Sequence, residues 1–260
     1  MKLTELFIGY KAWKEEEYLL NRMSLADLRR AYITYPGIQV YLGLIALTLV
    51  GALYTLGSPL RLVLAMGASV VLYPAIWYFL HRWVLHNPLM YKSPLTAAMW
   101  KRTHYDHHRF PNDLSVLFGG LQTTLPTILI FTGPVGWLIG GLSGAFAAVC
   151  SALIMTCVYE FWHCGQHLAF EPESDFWKRI KKLHLAHHFH NEKGNFGITN
   201  FLVDEWLGTH YEEAEDMPRS ATARNLGYTD QVAVKYPWVK ELTDQEGKSR
   251  GGLRADVVGS

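Results

Sequence analysis

Residues 57–86 read GSPLRLVLAMGASVVLYPAIWYFLHRWVLH. The opening Gly-Ser-Pro is a turn signal, and the apolar run behind it has the length of about 20 residues that a helix needs to cross a bilayer. The run ends in a spaced histidine pair, His81 and His86. A spanning helix that ends in two histidines predicts a polar site at the mouth of the membrane.

Three further apolar runs lie at about 38–56, 114–131 and 136–159. A Thr-Gly-Pro link at 132–134 joins the last two, as Gly-Ser-Pro joins the first two. Because both links are short, each pair should form a hairpin whose ends leave the membrane on one side. We therefore expect an all-α integral membrane protein with about four transmembrane helices in two hairpins, the third helix being kinked or re-entrant. A soluble bundle is the alternative, but a core helix rarely stays apolar all round for about 20 residues.

Charge and composition indicate where the polar parts lie. Half of the 260 residues are apolar, and the net charge of +1 gives no reason to expect nucleic acid as a partner. Of the 24 Lys and Arg residues, only Arg61 lies at a hairpin link. Since positive charge stays on the cytoplasmic side, we expect a cytosolic helical cap. Three cysteines without a CxxC pair fit a reduced setting.

The chain divides into three predicted regions. Residues 1–35, with Trp13 among charges, form an amphipathic N-terminal segment. Residues 36–210 form the membrane domain. Residues 211–260 are polar and mixed, and we expect them to be a loosely packed C-terminal tail.

Ten of the twelve histidines form two spaced pairs and two HxxHH triplets. They are His81, His86, His104, His107, His108, His163, His167, His184, His187 and His188. Each hairpin is followed by one pair and one triplet, so the chain contains two copies of one layout. Residues at i, i+3 and i+4 share a helix face, which makes each triplet converge. His81 and His86 are five apart and converge only if the helix ends or unwinds near Leu85.

So many gathered imidazoles need a common partner, and neutral imidazole is the commonest metal ligand. Two ions with about five ligands each would use the whole set. Imidazole suits Fe, Zn, Cu or Ni. A structural zinc site takes four ligands, and the chain has no HExxH motif for a hydrolytic zinc. A redox pair of irons fits an apolar substrate best.

At these residues the chain resembles the fatty acid hydroxylase/sterol desaturase superfamily of integral-membrane di-iron enzymes. The resemblance covers roughly residues 70–210 and includes the ordered HxxxxH, HxxHH, HxxxH and HxxHH boxes. Its strongest stretch is residues 184–200, HLAHHFHNEKGNFGITN, followed by Asp204 and Gly208-Thr209. It implies that the ten histidines bind two Fe ions, with Zn possible in purified protein.

The resemblance also implies an activity, the O2-dependent hydroxylation of an unactivated C–H bond in a lipid such as a fatty acyl chain or a sphingolipid. Electrons would come ultimately from NAD(P)H through a ferredoxin or cytochrome-type donor, because the chain lacks HPGG, CxxC and GxGxxG motifs. The cluster Lys178, Arg179, Lys181 and Lys182 is either a docking patch for that donor or a solvated or headgroup-facing surface. The lack of an endoplasmic-reticulum retrieval pattern and of a fused haem domain favours a bacterial inner membrane over the endoplasmic reticulum.

Two alternatives remain open. Residues after His108 keep a Pro-x-Asp typical of fatty acid 2-hydroxylases but neither their following Arg-Leu-Val-x-Pro-Pro nor the Phe-His-Pro of sterol members, so the enzyme could be a carotenoid or sterol ring hydroxylase or desaturase. A membrane metal transporter or metal-binding protein is the alternative of another class. It predicts ionisable residues within the spans, where the sequence has almost none away from their ends.

Three acids and two histidines outside the ten are candidates for supporting roles. Glu160 is expected to orient His163 from the second coordination shell, and Asp113 and Asp106 are weaker candidates for such a role. His190 and His210 are expected to be structural or second-shell residues.

Overall fold

The computed structural model describes residues 18–55 and 57–249, with side chains up to residue 246. Within these ranges the regular elements are helical, which confirms the expected all-α class, and an isolated β-bridge joins Leu19 to Asp113. The α-helices, in chain order, are α1 (Leu25–Thr34), α2 (Pro36–Tyr54), α3 (Pro59–Phe79), α4 (Leu89–Lys92), α5 (Pro94–Trp100), α6 (Asp106–Arg109), α7 (Leu121–Gln166), α8 (Asp175–Phe189), α9 (Leu202–Trp206), α10 (Asp230–Lys235) and α11 (Trp238–Ser249). The region around Trp13 and the last residues of the C-terminal tail lie outside the described residues.

Three helices are long and apolar enough to cross a membrane: Pro36–Tyr54, Pro59–Leu85 and Leu121–Gln166. Proline occupies the first turn of α2 and of α3, where its missing N–H costs nothing. Many of their large apolar side chains point outward, Val50, Val71 and Leu138 among them. Outward apolar faces on helices of this length are what a lipid environment accommodates.

The third of these helices, α7, reverses direction in its middle. A straight helix of its 46 residues would be about 69 Å long, more than twice the hydrocarbon thickness. Gly140 and Gly141 leave the helical region, and Gly141 has a positive φ of 63°. A Cβ on Gly136 would lie 2.3 Å from the Gly144 carbonyl oxygen, so residues 121–139 and 142–166 form two closely packed antiparallel arms.

The observed turn and the observed start of α7 correct two sequence-based expectations. The turn was expected at 132–134, but Pro134 lies inside the first arm. A proline is tolerated within a membrane helix, whereas the actual turn uses glycines that accept non-helical angles. The third run was expected to begin at 114, but residues 114–116 form a 3₁₀ turn and α7 begins only at Leu121.

The helices α2 and α3 both pack on α7. Ser69 donates to the Ala148 carbonyl at 2.9 Å, and the Tyr73 hydroxyl donates to Thr156 Oγ1 at 3.1 Å. The Tyr32 hydroxyl of α1 donates to the Cys157 carbonyl at 2.6 Å. The bonds of Ser69 and Tyr73 hold α3 beside α7, and histidines follow directly after α3 and lie at the end of α7.

The segment after residue 211 is packed, contrary to the expected loose tail. Tyr228, Ala233 and Val239 are buried against Tyr91 and Trp100. Polar groups add to this contact, because the buried Lys101 ammonium lies 2.8 Å from both Asp106 and Glu246. Residues 226–239 include eight apolar side chains, but their spacing alone does not predict that they cover α5.

Candidate metal centre

The first histidine pair lies on a π-helical turn, Leu80–Leu85, that continues α3. The His86 N–H donates to the His81 carbonyl at 3.0 Å, which is the i→i+5 bond of a π-helix. Five residues therefore complete about one turn, and the His86 Nε2 lies 3.2 Å from the His81 Nε2. The expectation that the pair converges is confirmed, but through a wider helical turn instead of an ended helix.

The other boxes lie on three short stretches of helix. A second π-helical turn, Lys101–Tyr105, holds His104 and leads into α6 with His107 and His108. His163 and His167 lie at the end of α7, one turn apart, and α8 carries the second triplet. The four stretches bring their histidines together.

The ten histidines form two groups of five, and within each group the candidate ligand atoms all lie within 4.8 Å of one another. The first group is His81, His86, His104, His108 and His187. The second group is His107, His163, His167, His184 and His188. His104 Nε2 lies 2.8 Å from His86 Nε2, and His167 Nε2 lies 3.0 Å from His184 Nε2.

Each group thus takes four histidines from one half of the sequence and one from the other half. His187 joins the first group and His107 joins the second. The groups are adjacent, since the ring centroids of His108 and His188 are 4.2 Å apart. The two windows of the sequence therefore build one centre together, and neither half can complete its own group.

Burial keeps these imidazoles neutral. Nine of the ten are at most 7% exposed, and His86 is half-buried. Desolvation, followed by the neighbouring imidazoles, lowers the pKa of His107 and His184 well below its usual value. Desolvation lowers the pKa of His187 to about 4. The neutral ring is the form that binds a metal.

Backbone carbonyls fix the orientation of three rings. The Nδ1 atoms of His81, His108 and His187 lie 2.6, 2.8 and 2.7 Å from the carbonyls of Phe196, Ala223 and Gly194. An Nδ1–H that donates outward leaves Nε2 as an inward acceptor. The Nε2 atoms of His108 and His187 are buried without a hydrogen-bond partner. Unpartnered lone pairs that face one point fit a metal ion.

Asp204 holds the loop that supplies two of these carbonyls. Its carboxylate accepts the N–H groups of Phe196 and Gly197 at 2.7 and 2.8 Å and the Thr209 hydroxyl at 2.8 Å. The Tyr78 hydroxyl lies 2.8 Å from the Thr209 hydroxyl. Sequence reasoning noted Asp204 and Thr209 only as part of a resemblance, and the carbonyls of Gly194 and Ala223 left no signal, because every residue has one.

The three acidic candidates lie outside both histidine groups. Glu160 is buried, and its Oε1 accepts from the Gly119 N–H at 2.9 Å. Within the described part of the chain it makes no hydrogen bond to His163, so the expected orienting contact is not formed. Asp113 caps the turn at 114–116 by accepting from Ser115, and Asp106 pairs with Lys101.

His190 and His210 are outside both groups. His190 Nε2 lies 2.7 Å from the Met217 carbonyl, and His210 lies beside Glu212 and Arg179. Both belong to the packing of the loop after α8.

A cavity of about 320 Å³ reaches the centre from the membrane helices. Its walls are mostly apolar, with Trp77, Leu80 and Ile198 among them, and histidines of both groups line its end. Polar side chains besides the histidines also line it, namely Thr103, Gln122, Thr123, Thr124, Thr127, Tyr159 and Glu160. A mostly apolar molecule that carries a polar group would therefore fit beside the centre.

Comparison with known proteins gives a consistent result. The fatty acid hydroxylase family model matches residues 66–209. The ceramide very long chain fatty acid hydroxylase SCS7 of Saccharomyces cerevisiae is 29% identical over 150 residues, which are 55% of this chain and 36% of that protein. A beta-carotene hydroxylase of Paracoccus sp. (strain PC1) is 25% identical over 48% of this chain and 73% of its own length. The chain thus spans about a third of SCS7.

A solved structure agrees at the level of the fold. Full-length scs7p, of which only the hydroxylase domain is visible, superposes with a TM-score of 0.58 at 23% sequence identity. The match covers 77% of this chain and 71% of that one. It supports the helical arrangement described above.

Proposed function

Because the chain belongs to the fatty acid hydroxylase family, we propose that it uses O2 and two metal ions to hydroxylate an unactivated C–H bond of a lipid. The observation that carries the proposal is the pair of five-histidine groups, in which the Nε2 atoms of His108, His187 and His188 are buried without a hydrogen-bond partner. The ten histidines would hold two irons, with zinc able to occupy the site in purified protein.

Bound iron would supply the activation of O2 and the removal of a hydrogen atom from carbon, which no side chain can perform. One oxygen atom enters the C–H bond, and the other leaves as water with two electrons and two protons from outside the chain. The protein holds the ligands, orients three of them through backbone carbonyls, and keeps water away with apolar walls.

The substrate is proposed to be a fatty acyl chain or a sphingolipid. SCS7 acts on ceramide very long chain fatty acids by its name, and the cavity is apolar enough to take an acyl chain. A carotenoid ring is the second candidate, favoured by the Paracoccus relative, of which the match covers 73%.

The electrons would come ultimately from NAD(P)H through a ferredoxin or cytochrome-type protein. The basic cluster beside His184 is a poor docking patch for that donor, because acidic side chains already face three of its four members. Arg179 lies 2.7 Å from Glu212, and Lys182 pairs with Glu213. Lys181 donates to the carbonyls of Leu168 and Phe170.

The protein would sit in a bacterial inner membrane with its histidines at the cytosolic face. Both hairpins return to one side, so the four apolar arms, α2, α3 and the two arms of α7, would leave all polar segments there. The scarcity of Lys and Arg at the hairpin turns supports the cytosolic assignment.

Product analysis tests this function. Iron-loaded protein supplied with reductant and isotopically labelled O2 should add one labelled oxygen atom to a lipid. His107→Ala should abolish this product, and His210→Ala, which removes a histidine outside both groups, should retain it. Loss of two hydrogens instead would indicate a desaturase, and a metal-free protein that still converts lipid would refute the proposal.

A further inference from the structure

The cavity beside the histidines contains a polar notch, defined by Gly119, Thr124 and Glu160. A Cβ on Gly119 would lie 2.8 Å from Glu160 Oε1 and 2.9 Å from Thr124 Oγ1. The two side chains therefore flank one point on the wall, and only a glycine leaves that point open. All three residues line the cavity, together with His107 and His163.

Both polar side chains of the notch have unused hydrogen-bonding capacity. Glu160 is 3% exposed and Thr124 is 1% exposed. Glu160 Oε1 accepts from the Gly119 N–H, but Oε2 has no partner, and Thr124 Oγ1 has none either. An unpartnered buried polar atom is unfavourable, so both atoms need a partner from the cavity.

The neighbouring threonines differ from Thr124. Thr123 and Thr127, which also line the cavity, donate to the carbonyls of Gly120 and Thr123 on their own helix. Such back-bonding is the usual way for a threonine to satisfy its hydroxyl inside a helix. Thr124 makes no such back-bond; its hydroxyl lies beside that of Tyr41 and has further capacity for a molecule in the cavity.

We propose that the Gly119–Thr124–Glu160 notch recognises a hydrogen-bond-donating group, a hydroxyl or an amide N–H, on a lipid whose chain lies in the cavity. The carboxylate oxygen accepts from the donor, and the Thr124 hydroxyl donates to the oxygen of the same group. A pure hydrocarbon such as a carotene would bury both side chains unpaired. This inference rests on the proposed function and narrows its substrate to amphiphilic lipids.

Binding to zinc-loaded protein, which does not turn over, tests the notch. The ligands are matched pairs, a fatty alcohol with its methyl ether and a secondary fatty amide with its N-methyl form. The wild-type protein should bind the donor of each pair about tenfold more tightly, the value of about one buried hydrogen bond. The alcohol pair and the amide pair together show which of the two donor types the notch binds.

Variants connect this preference to the residues. Glu160→Gln keeps the acceptor for Gly119 and replaces Oε2 with an amide, so it should abolish the preference, while Thr124→Val should reduce it. Thr132→Val is the matched control, because Thr132 is buried on the same arm with its hydroxyl bonded to the Ile128 carbonyl. It should keep the preference.

Equal binding of donor and ether by the wild-type protein would overturn the inference, and so would a Glu160→Gln protein that retains the preference. In either case, iron-loaded wild-type protein that still hydroxylates lipids would leave the proposed function standing. Wild-type protein that oxidises none of these lipids would contradict both the proposed function and this inference.

Discussion

At the scale of single residues, the centre depends on groups that hold the histidines in their orientation. The carbonyls of Phe196 and Gly194 face His81 and His187, and Asp204 holds the loop that contains them. Asp204 is fully buried and accepts hydrogen bonds with both oxygens. Its role is therefore positional, through the loop, and does not involve contact with a metal.

Asp204→Asn should weaken metal binding. The new amide NH2 would face an N–H donor at Phe196 or Gly197, and the loop would shift away from His81. We expect affinity to fall about tenfold or more, as for outer partners of metal ligands, measured by competition with a chelator. Asp216→Asn, an exposed acid that caps a 3₁₀ turn, is the control. Equal chelator resistance of all three proteins would contradict this role for Asp204.

Sequence spacing was sufficient to select the ten histidines but not to assign them to groups. The i, i+3, i+4 pattern puts each triplet on one face. The assignment of each histidine to a group depends on how α6 and α8 pack against each other. In this packing His107 joins the histidines of the second half of the chain, and His187 joins those of the first half. That the ten bind metal stays a prediction.

At the scale of elements, glycine determines how the last hairpin closes. The Thr-Gly-Pro link at 132–134 predicts the turn there, because glycine and proline are turn signals. The arms instead reverse at Gly140-Gly141 and touch at Gly136 and Gly144. Local turn signals cannot reveal such a contact, because it depends on a residue eight positions away in the opposite arm.

Gly136→Ala should destabilise this hairpin. Its Cβ would lie 2.3 Å from the Gly144 carbonyl oxygen, and overpacking of this kind costs about 1–3 kcal/mol. Gly133→Ala is the matched control, because a Cβ there would meet its nearest atom at 4.0 Å. Thermal unfolding in detergent should show a lower midpoint for Gly136→Ala only. The same midpoint for both variants would contradict the close packing of the arms.

At the scale of the whole molecule, distant parts of the chain meet around the histidines. The Ala223 carbonyl faces His108 Nδ1, and Arg224 donates to the carbonyls of His108 and Arg109 at 2.8 and 2.5 Å. The segment after residue 211 therefore closes the centre from outside the predicted membrane domain. The sequence does not predict this closure, because a backbone carbonyl and an arginine make the contacts and neither follows a recognisable pattern.

Arg224→Ala should loosen that closure. The carbonyls of His108 and Arg109 would lose their donor, and we expect faster loss of metal to a chelator, with an unfolding midpoint close to that of the wild-type protein. Arg219→Ala removes an exposed arginine of the same segment and should lose metal at the wild-type rate. The prediction is wrong if both variants release metal equally fast.

The most direct test of the central claim is metal analysis combined with anomalous diffraction at the iron edge, on protein loaded with ferrous iron. The account predicts two ions per chain, one inside each five-histidine group and surrounded by imidazole nitrogens. A single ion, no bound ion, or a site held by carboxylates or thiolates away from the histidines would contradict it.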